Sequence, residues 1–134
     1  MNVEEMYQEN ILDHYRHPKN FGKVQHATVS FRDSNPSCGD IIEITMHINK
    51  EGKIDEVKFS GKGCAISQAS ASMLTEWLKG KTFEEVKALK KEDVLEMLGI
   101  ELSGIRLKCA LLSLKVAKMG WYQYFGKELK DDFT

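Results

Sequence analysis

Cys38, Cys64 and Cys109 are the residues of this 134-residue chain whose types and settings could do chemistry. A thiolate is both a nucleophile and a soft metal ligand, and either role depends on surroundings that favour the ionised form. Cys38 lies in Asn35-Pro36-Ser37-Cys38-Gly39-Asp40, where Pro36 fixes one dihedral and Gly39 opens a backbone conformation closed to other residues. Asp40 follows two residues on, at the mouth of a predicted strand, so an extended chain points thiolate and carboxylate the same way as half of a ligand set. Cys64 follows Ser60-Gly61-Lys62-Gly63 and opens a predicted helix, whose unpaired amides and positive dipole end favour thiolate over thiol. The glycines beside Lys62 let the backbone approach a metal, a ligand or a neighbouring loop. Cys109 sits on the last predicted helix behind Arg106 and Lys108, two cations near a thiol, although adjacent helical side chains diverge.

Three core thiols are the competing reading, because free cysteine is among the most buried residue types and no two cysteines here have C-x-x-C spacing. Two of the three sit on a Gly-rich loop or at a helix start rather than inside an apolar stripe, which leaves a site and core packing equally open. His14, His17, His26 and His47 fall on a helix end, in a loop or on an outward strand position and are weak ligand candidates. The Lys and Glu run from Lys79 to Glu96 reads as a solvated helical face, and Trp77, Trp121, Tyr122 and Tyr124 read as packing aromatics.

The elements that must position the thiols follow from periodicity. Val3, Met6, Tyr7, Ile11, Leu12 and Tyr15 have helical spacing, Asn2 can cap with Glu5, and His17-Pro18 stops the helix. Three strand signals come next: Ala27 to Phe31, then Ile42 to Ile48 in strict alternation, then Val57 to Phe59. Asn49-Lys50-Glu51-Gly52 reads as a hairpin turn between the last two, so the sheet is expected to be antiparallel with one wet face. Helices are expected over Ala65 to Lys79, Phe83 to Leu89 capped by Thr82, Glu92 to Leu98 stopped by Gly99, and Ile105 to about Tyr124. Strands first and helices later predict an α+β fold, a small three-stranded antiparallel sheet with helices packed on one face, in one domain over residues 1–134.

Composition narrows the function class. Lys plus Arg number 19 against 20 Asp plus Glu, a formal net charge of -1, without the cationic excess that phosphate neutralisation requires, so no nucleic acid partner is expected. With 42% hydrophobic residues the chain can build a core without staples, and an odd cysteine count argues against a disulfide framework. Reduced thiols in the cytoplasm are expected. Met1-Asn2-Val3-Glu4-Glu5 is acidic where a signal peptide would be basic, and no stretch reaches the roughly 18 apolar residues of a membrane span, so no membrane partner is expected.

Three ordered motifs carry a resemblance. Asn35-Pro36-Ser37-Cys38-Gly39-Asp40, then Gly61-Lys62-Gly63-Cys64-Ala65-Ile66-Ser67 running into Ala69-Ser70-Ala71-Ser72-Met73, then Arg106-Leu107-Lys108-Cys109-Ala110-Leu111-Leu112, resemble the iron-sulfur cluster assembly scaffolds of the IscU, NifU and SufU type. Tyr7 to Tyr15 and Pro18-Lys19-Asn20 match the family's first helix and following loop, so the similarity spans nearly the whole chain.

The resemblance implies that Cys38, Asp40, Cys64 and Cys109 converge at one exposed end to bind metal. A [2Fe-2S] cluster would be assembled there and passed to apo iron-sulfur acceptor proteins. Sulfur would arrive as persulfide from a cysteine desulfurase, and iron and electrons from other partners. A hard carboxylate is a poorer partner for cluster iron than a thiolate, so Asp40 would keep the cluster labile. Two departures stand out. Lys108 occupies the place where the IscU branch carries His, and Leu102-Ser103-Gly104-Ile105-Arg106 replaces the Leu-Pro-Pro-Val-Lys segment that a dedicated chaperone reads. Lys before the last cysteine is similar to the SufU branch, whose members hold zinc through three thiolates and the aspartate, yet the Cys64 to Cys109 stretch is too short for that branch's insertion.

The alternative to a non-enzymatic scaffold is therefore a zinc-dependent sulfurtransferase that uses the same four residues, and zinc in the resting protein fits either. In both, Cys109 is the expected persulfide acceptor, and Lys108 would hold a thiolate or an incoming polysulfide. Tyr7 matches a family tyrosine at contacts between protein surfaces, against a plain core aromatic. Neither a monomer nor a homodimer follows from the sequence.

Overall fold

The computed structural model describes residues 3–124 and the side chains from Glu5 onward. Its elements in order are α1 (Val3–Arg16), β1 (Val29–Asn35), β2 (Asp40–Ile48), β3 (Ile54–Lys62), α2 (Ala65–Leu78), α3 (Phe83–Ala88), α4 (Lys91–Leu98) and α5 (Ile105–Tyr124). The strands form one antiparallel sheet in the order β1-β2-β3, and the helices pack on it in the expected α+β arrangement. Residue Asn2, the expected cap of α1, lies outside the described residues.

The alternation of β2 drives the core. Ile42, Ile44, Met46 and Ile48 point into the face covered by α2 and α5, and Val57 and Phe59 of β3 join them. The opposite face is less wet than expected, because the segment between α1 and β1 lays Val24 over it, with the Val24 amide donating to Thr45 Oγ1 at 2.9 Å. β1 begins at Val29 and runs to Asn35, not from Ala27 to Phe31. Its apolar alternation ends at Phe31, but Arg32, Asp33 and Ser34 keep their backbone pairing to Glu43, Ile42 and Ile41. An edge strand can carry polar side chains to water while its ladder continues.

α5 is apolar around much of its circumference because it meets α2, α3, α4 and two strands. A Cβ on Gly120 would stand 3.0 Å from both Val29 and Phe31, so that glycine lets α5 lie close on β1. The small residues of α2 serve the same end. Ser70 Oγ donates to the Ala110 carbonyl at 2.6 Å and lies 3.0 Å from Ser113 Oγ, which fastens α2 to α5 beside Cys109. Two more expected devices are present: Thr82 caps α3, where Glu85 completes a capping box, and Gly99 ends α4, in the left-handed conformation.

α1 packs differently from its sequence pattern. Ile11 and His14 face inward, whereas Met6, Tyr7, Leu12 and Tyr15 each keep more than a third of their surface exposed. His14 Nδ1 lies 2.7 Å from Ser72 Oγ, which also accepts the Lys19 amide at 2.8 Å, so a polar pair holds α1 and its following loop to α2.

Candidate metal centre

Sheet register brings the first three candidate residues together. Asn35 pairs with Asp40 across the β1–β2 turn, and the Asn35 carbonyl accepts the Gly39 amide at 2.9 Å and the Cys38 amide at 3.3 Å. That tight turn projects exposed Cys38 over buried Asp40, with Cys38 Sγ 2.9 Å from Asp40 Oδ2. On the other side of β2, Ile41 pairs with Lys62, so the chain leaving β3 passes directly beside Asp40. A Cβ on Gly63 would be driven into the Asp40 carboxylate and Cα, and Gly63 has φ +150, a backbone conformation open to glycine. Cys64 is then the N-cap residue of α2; its amide donates to Asp40 Oδ1 at 2.8 Å and its Sγ lies 3.7 Å from Asp40 Oδ2.

Cys109 arrives from α5. Its buried Sγ lies 2.8 Å from Cys38 Sγ and receives the Asn35 Nδ2 donor at 3.8 Å. Ligand atoms of Cys38, Asp40 and Cys109 all lie within 4.8 Å of one another, and Cys64 reaches the group through Asp40. The four residues named from the sequence thus meet in one place, carried by a turn, a strand start, a helix start and the second turn of α5.

The charges of the metal-free group are set by Asp40. Burial pushes its carboxyl upward, but hydrogen bonds from the Cys109 and Cys38 thiols and from the Cys64 amide and thiol outweigh this and hold it below the ordinary carboxylate range. The bond to Asp40 raises the Cys38 thiol, partly offset by Cys109. Burial, then Asp40, Cys38 and Cys64, push the Cys109 thiol far upward. Arg106 and Lys108 are exposed, and no hydrogen bond joins Lys108 to Cys109 among the described residues, as the divergence of adjacent helical side chains leads one to expect. A bound cation reverses this balance, since a coordinated thiol loses its proton outright.

Three soft sulfurs and one carboxylate oxygen fit a thiophilic ion in a closed four-donor site. Tetrahedral thiolates at Zn–S distances of about 2.3 Å stand about 3.8 Å apart, so the Cys38–Cys109 pair must spread from its 2.8 Å separation. Of the two thiols, Cys38 is on the exposed turn and Cys109 is buried, so the spreading falls to Cys38.

The other candidates lie elsewhere. His47 Nδ1 is 2.7 Å from Asp55 at the far end of β2, His14 is bound to Ser72, and His17 and His26 are exposed. Trp121 stacks on Phe83, and Trp77 lies under the Lys81 ammonium, as packing requires. Tyr7 packs its ring over Gly99 yet stays 38% exposed, so it is neither a core residue nor a free surface one. Lys108 lines a hollow of about 510 Å³ with Pro36, Leu107 and Leu111, beside Cys109. Asn35 was missed as a site residue, although Asn before Pro-Ser is a turn signal that marked its place.

Comparison with known proteins agrees with this geometry. The profile of the family described as the NifU-like N terminal domain matches residues 6–131. The iron-sulfur cluster assembly scaffold protein IscU of Escherichia coli K12 is 33% identical over 124 residues, covering 90% of this chain and 95% of that protein. A scaffold protein IscU from Archaeoglobus fulgidus is 35% identical over 127 residues, covering 95% of this chain and 82% of that one. Among solved structures, a putative iron-sulfur cluster assembly scaffold protein for the SUF system from Fervidobacterium islandicum AW-1 superposes with a TM-score of 0.76 at 29% identity, covering 90% of this chain and 99% of that chain.

Proposed function

The chain belongs to the NifU-like N-terminal domain family, and on that premise we propose that it is a scaffold on which a [2Fe-2S] cluster is assembled and then passed to apo iron-sulfur proteins. The observation that carries this reading is the meeting of Cys38, Cys64 and Cys109 around the Asp40 carboxylate at an end of the sheet where Cys38 is open to solvent. Cargo must be loaded and released, and a site with one exposed thiol on a turn and one hard oxygen donor suits exchange better than four buried thiolates. The reduced thiols suit the cytoplasm.

Sulfur is supplied as persulfide by a cysteine desulfurase, with Cys109 as the accepting thiol; because burial keeps its proton on in the metal-free protein, acceptance would require a bound metal ion to displace that proton. Reducing each persulfide sulfur to sulfide takes two electrons from a separate donor, and ferrous iron comes from an iron-donor protein. Asp40 accepts hydrogen bonds from the thiols until iron replaces their protons. Lys108, exposed beside Cys109, supplies a positive charge to an incoming polysulfide.

Anaerobic reconstitution with a cysteine desulfurase, cysteine, a reductant and ferrous iron tests the reading. The expected result is a visible charge-transfer spectrum with about two irons per cluster, followed by its transfer to an apo-ferredoxin. The second reading is a zinc-dependent sulfurtransferase, favoured by donor atoms of Cys38, Asp40 and Cys109 gathered tightly enough for a single ion. Zinc-dependent stimulation of desulfurase turnover, with no chromophore under reconstitution, would replace the scaffold by the transferase.

A further inference from the structure

Asn35 ends β1 with only 7% of its surface exposed, and it touches both sides of the metal centre. Its carbonyl accepts the Cys38 and Gly39 amides, which hangs the Cys38 turn on it, and its Oδ1 accepts the Ser37 amide at 3.3 Å. A backbone N–H can bond only the oxygen of a side-chain amide, so the Ser37 contact fixes which way the Asn35 amide is turned and directs Nδ2 at Cys109 Sγ, 3.8 Å away. The turn itself needs only the Oδ1 bond. The Nδ2 donor goes instead to a ligand sulfur 74 residues further along the chain.

That contact gains weight when the centre is loaded. Cys109 is buried, so water does not solvate its thiolate, and a buried charge without donors is costly. In the metal-free group Cys109 Sγ also meets Cys38 Sγ, but a bound ion takes the protons of both thiols, and Cys38 then has nothing to donate. Asn35 Nδ2 is left as the one side-chain donor from outside the ligand set to Cys109 Sγ among the described residues, and none reaches the sulfurs of Cys38 or Cys64. A hydrogen bond to an ionised sulfur is stronger than one to a thiol. It also draws electron density from the lone pairs that bond the metal.

We propose that Asn35 is a positioning residue for Cys109: its side-chain amide holds the Cys109 sulfur while the Cys38 turn opens, and donates to that one thiolate in the loaded protein. The three sulfurs are then unequal donors. The proposal rests on the four-ligand centre and holds whether that centre carries a cluster or zinc.

The test is titration of the full chain with cobalt(II) in the absence of air, read by the sulfur-to-cobalt charge-transfer absorption at saturating metal and by competition with a chromophoric chelator. A hydrogen bond lowers the energy of the sulfur lone pairs, so its loss moves this absorption to longer wavelength. Asn35→Asp keeps Oδ1 for the Ser37 amide, loses the donor and sets a negative oxygen beside the sulfur, whereas Asn35→Ala loses both bonds. Each should shift the absorption to longer wavelength, Asn35→Asp further, and weaken cobalt binding about 10- to 100-fold. Gly39→Ala strains the same turn with the donor kept and should leave the absorption at the parent position. An unmoved absorption in the Asn35 variants, with or without weaker binding, overturns the proposal, because Asn35 then only builds the turn. An equal shift in Gly39→Ala overturns it too. A parent chain without thiolate absorption overturns the four-ligand centre itself, which is a separate failure. Should one Asn35 variant not fold, the other decides alone.

Discussion

Asp40 Oδ1 accepts the backbone amide of Cys64 at 2.8 Å while Oδ2 faces the thiols of Cys38 and Cys64. One buried carboxylate thus does two things: it ties the start of β2 to the start of α2, and it gathers the ligand thiols. Its removal should separate these roles. In Asp40→Ala the Cys64 amide loses its acceptor, which costs about 1–2 kcal/mol of metal-free stability, read by chemical denaturation. A reconstituted cluster should nonetheless outlast the parent's several-fold on exposure to chelator, because the weak oxygen donor is gone. Loss of the cluster as fast as in the parent would sink the idea that Asp40 confers lability.

Gly63 makes the approach of these two elements passable. With φ +150 and its Cβ position filled by the Asp40 carboxylate, Gly63→Ala combines backbone strain of about 1–3 kcal/mol with displacement of a metal-facing side chain. Metal affinity measured by competition with a chromophoric chelator should fall about 10- to 100-fold. Gly39 in the Cys38 turn also has a positive φ, +72, but nothing lies within 4 Å of its Cβ position. Gly39→Ala should therefore cost only the roughly 1–2 kcal/mol of a left-handed backbone and leave metal affinity within a factor of about three.

Burial and the neighbouring carboxylate, not the nearby cations, decide the ionisation of Cys109, and the direction is upward. In the metal-free protein Cys109 should resist iodoacetamide at neutral pH while exposed Cys38 is modified first, as peptide mass mapping would show. Since Asp40 also raises Cys38, Asp40→Asn should speed Cys38 alkylation at pH 7.5. The linkage has two sides. A thiol raised on folding contributes stability below its ordinary value of 9.0 that is lost as pH rises beyond it. Asp40, lowered on folding, contributes stability above its ordinary value of 3.8 that is lost as pH falls. Metal-free stability should decline on both sides of that window, and an alkaline limb that survives Cys109→Ser unchanged would contradict the assignment.

What could be read in advance depended on how local the cause is. Cys38 and Asp40 meet as expected but for another reason: Cys38 lies in the turn before β2, not on an extended chain, so the turn and not strand alternation brings the pair together. The Thr82 cap and the stop at Gly99 were legible because their causes are local. The end of β1 was not, since Arg32 to Ser34 pair through their backbone while their side chains say loop. The Cys64 amide bond to Asp40 depends on the register of β3 against β2, and the Asn35–Cys109 contact spans 74 residues. Family motifs placed those residues together without stating how they touch.

The contact of Tyr7 with Gly99 yields the last prediction. Gly99 ends α4 with φ +71, its amide bonding the Leu95 carbonyl at 2.9 Å, and the Tyr7 ring covers the position a Cβ would take. Gly99→Ala should therefore cost about 1–2 kcal/mol from the left-handed backbone, and a further amount from pushing the ring, and with it α1, away from α4. Tyr7→Ala removes the obstacle, so the two substitutions should couple by about 1 kcal/mol in a double-mutant cycle, with Gly99→Ala less damaging in the Tyr7→Ala background. The four candidate ligands come from the β1–β2 turn, β2, α2 and α5 and none from α1. Zinc stoichiometry should accordingly stay at the parent value in both single variants, and a loss of bound metal in Gly99→Ala would show that α1 supports the centre in a way its contacts do not reveal.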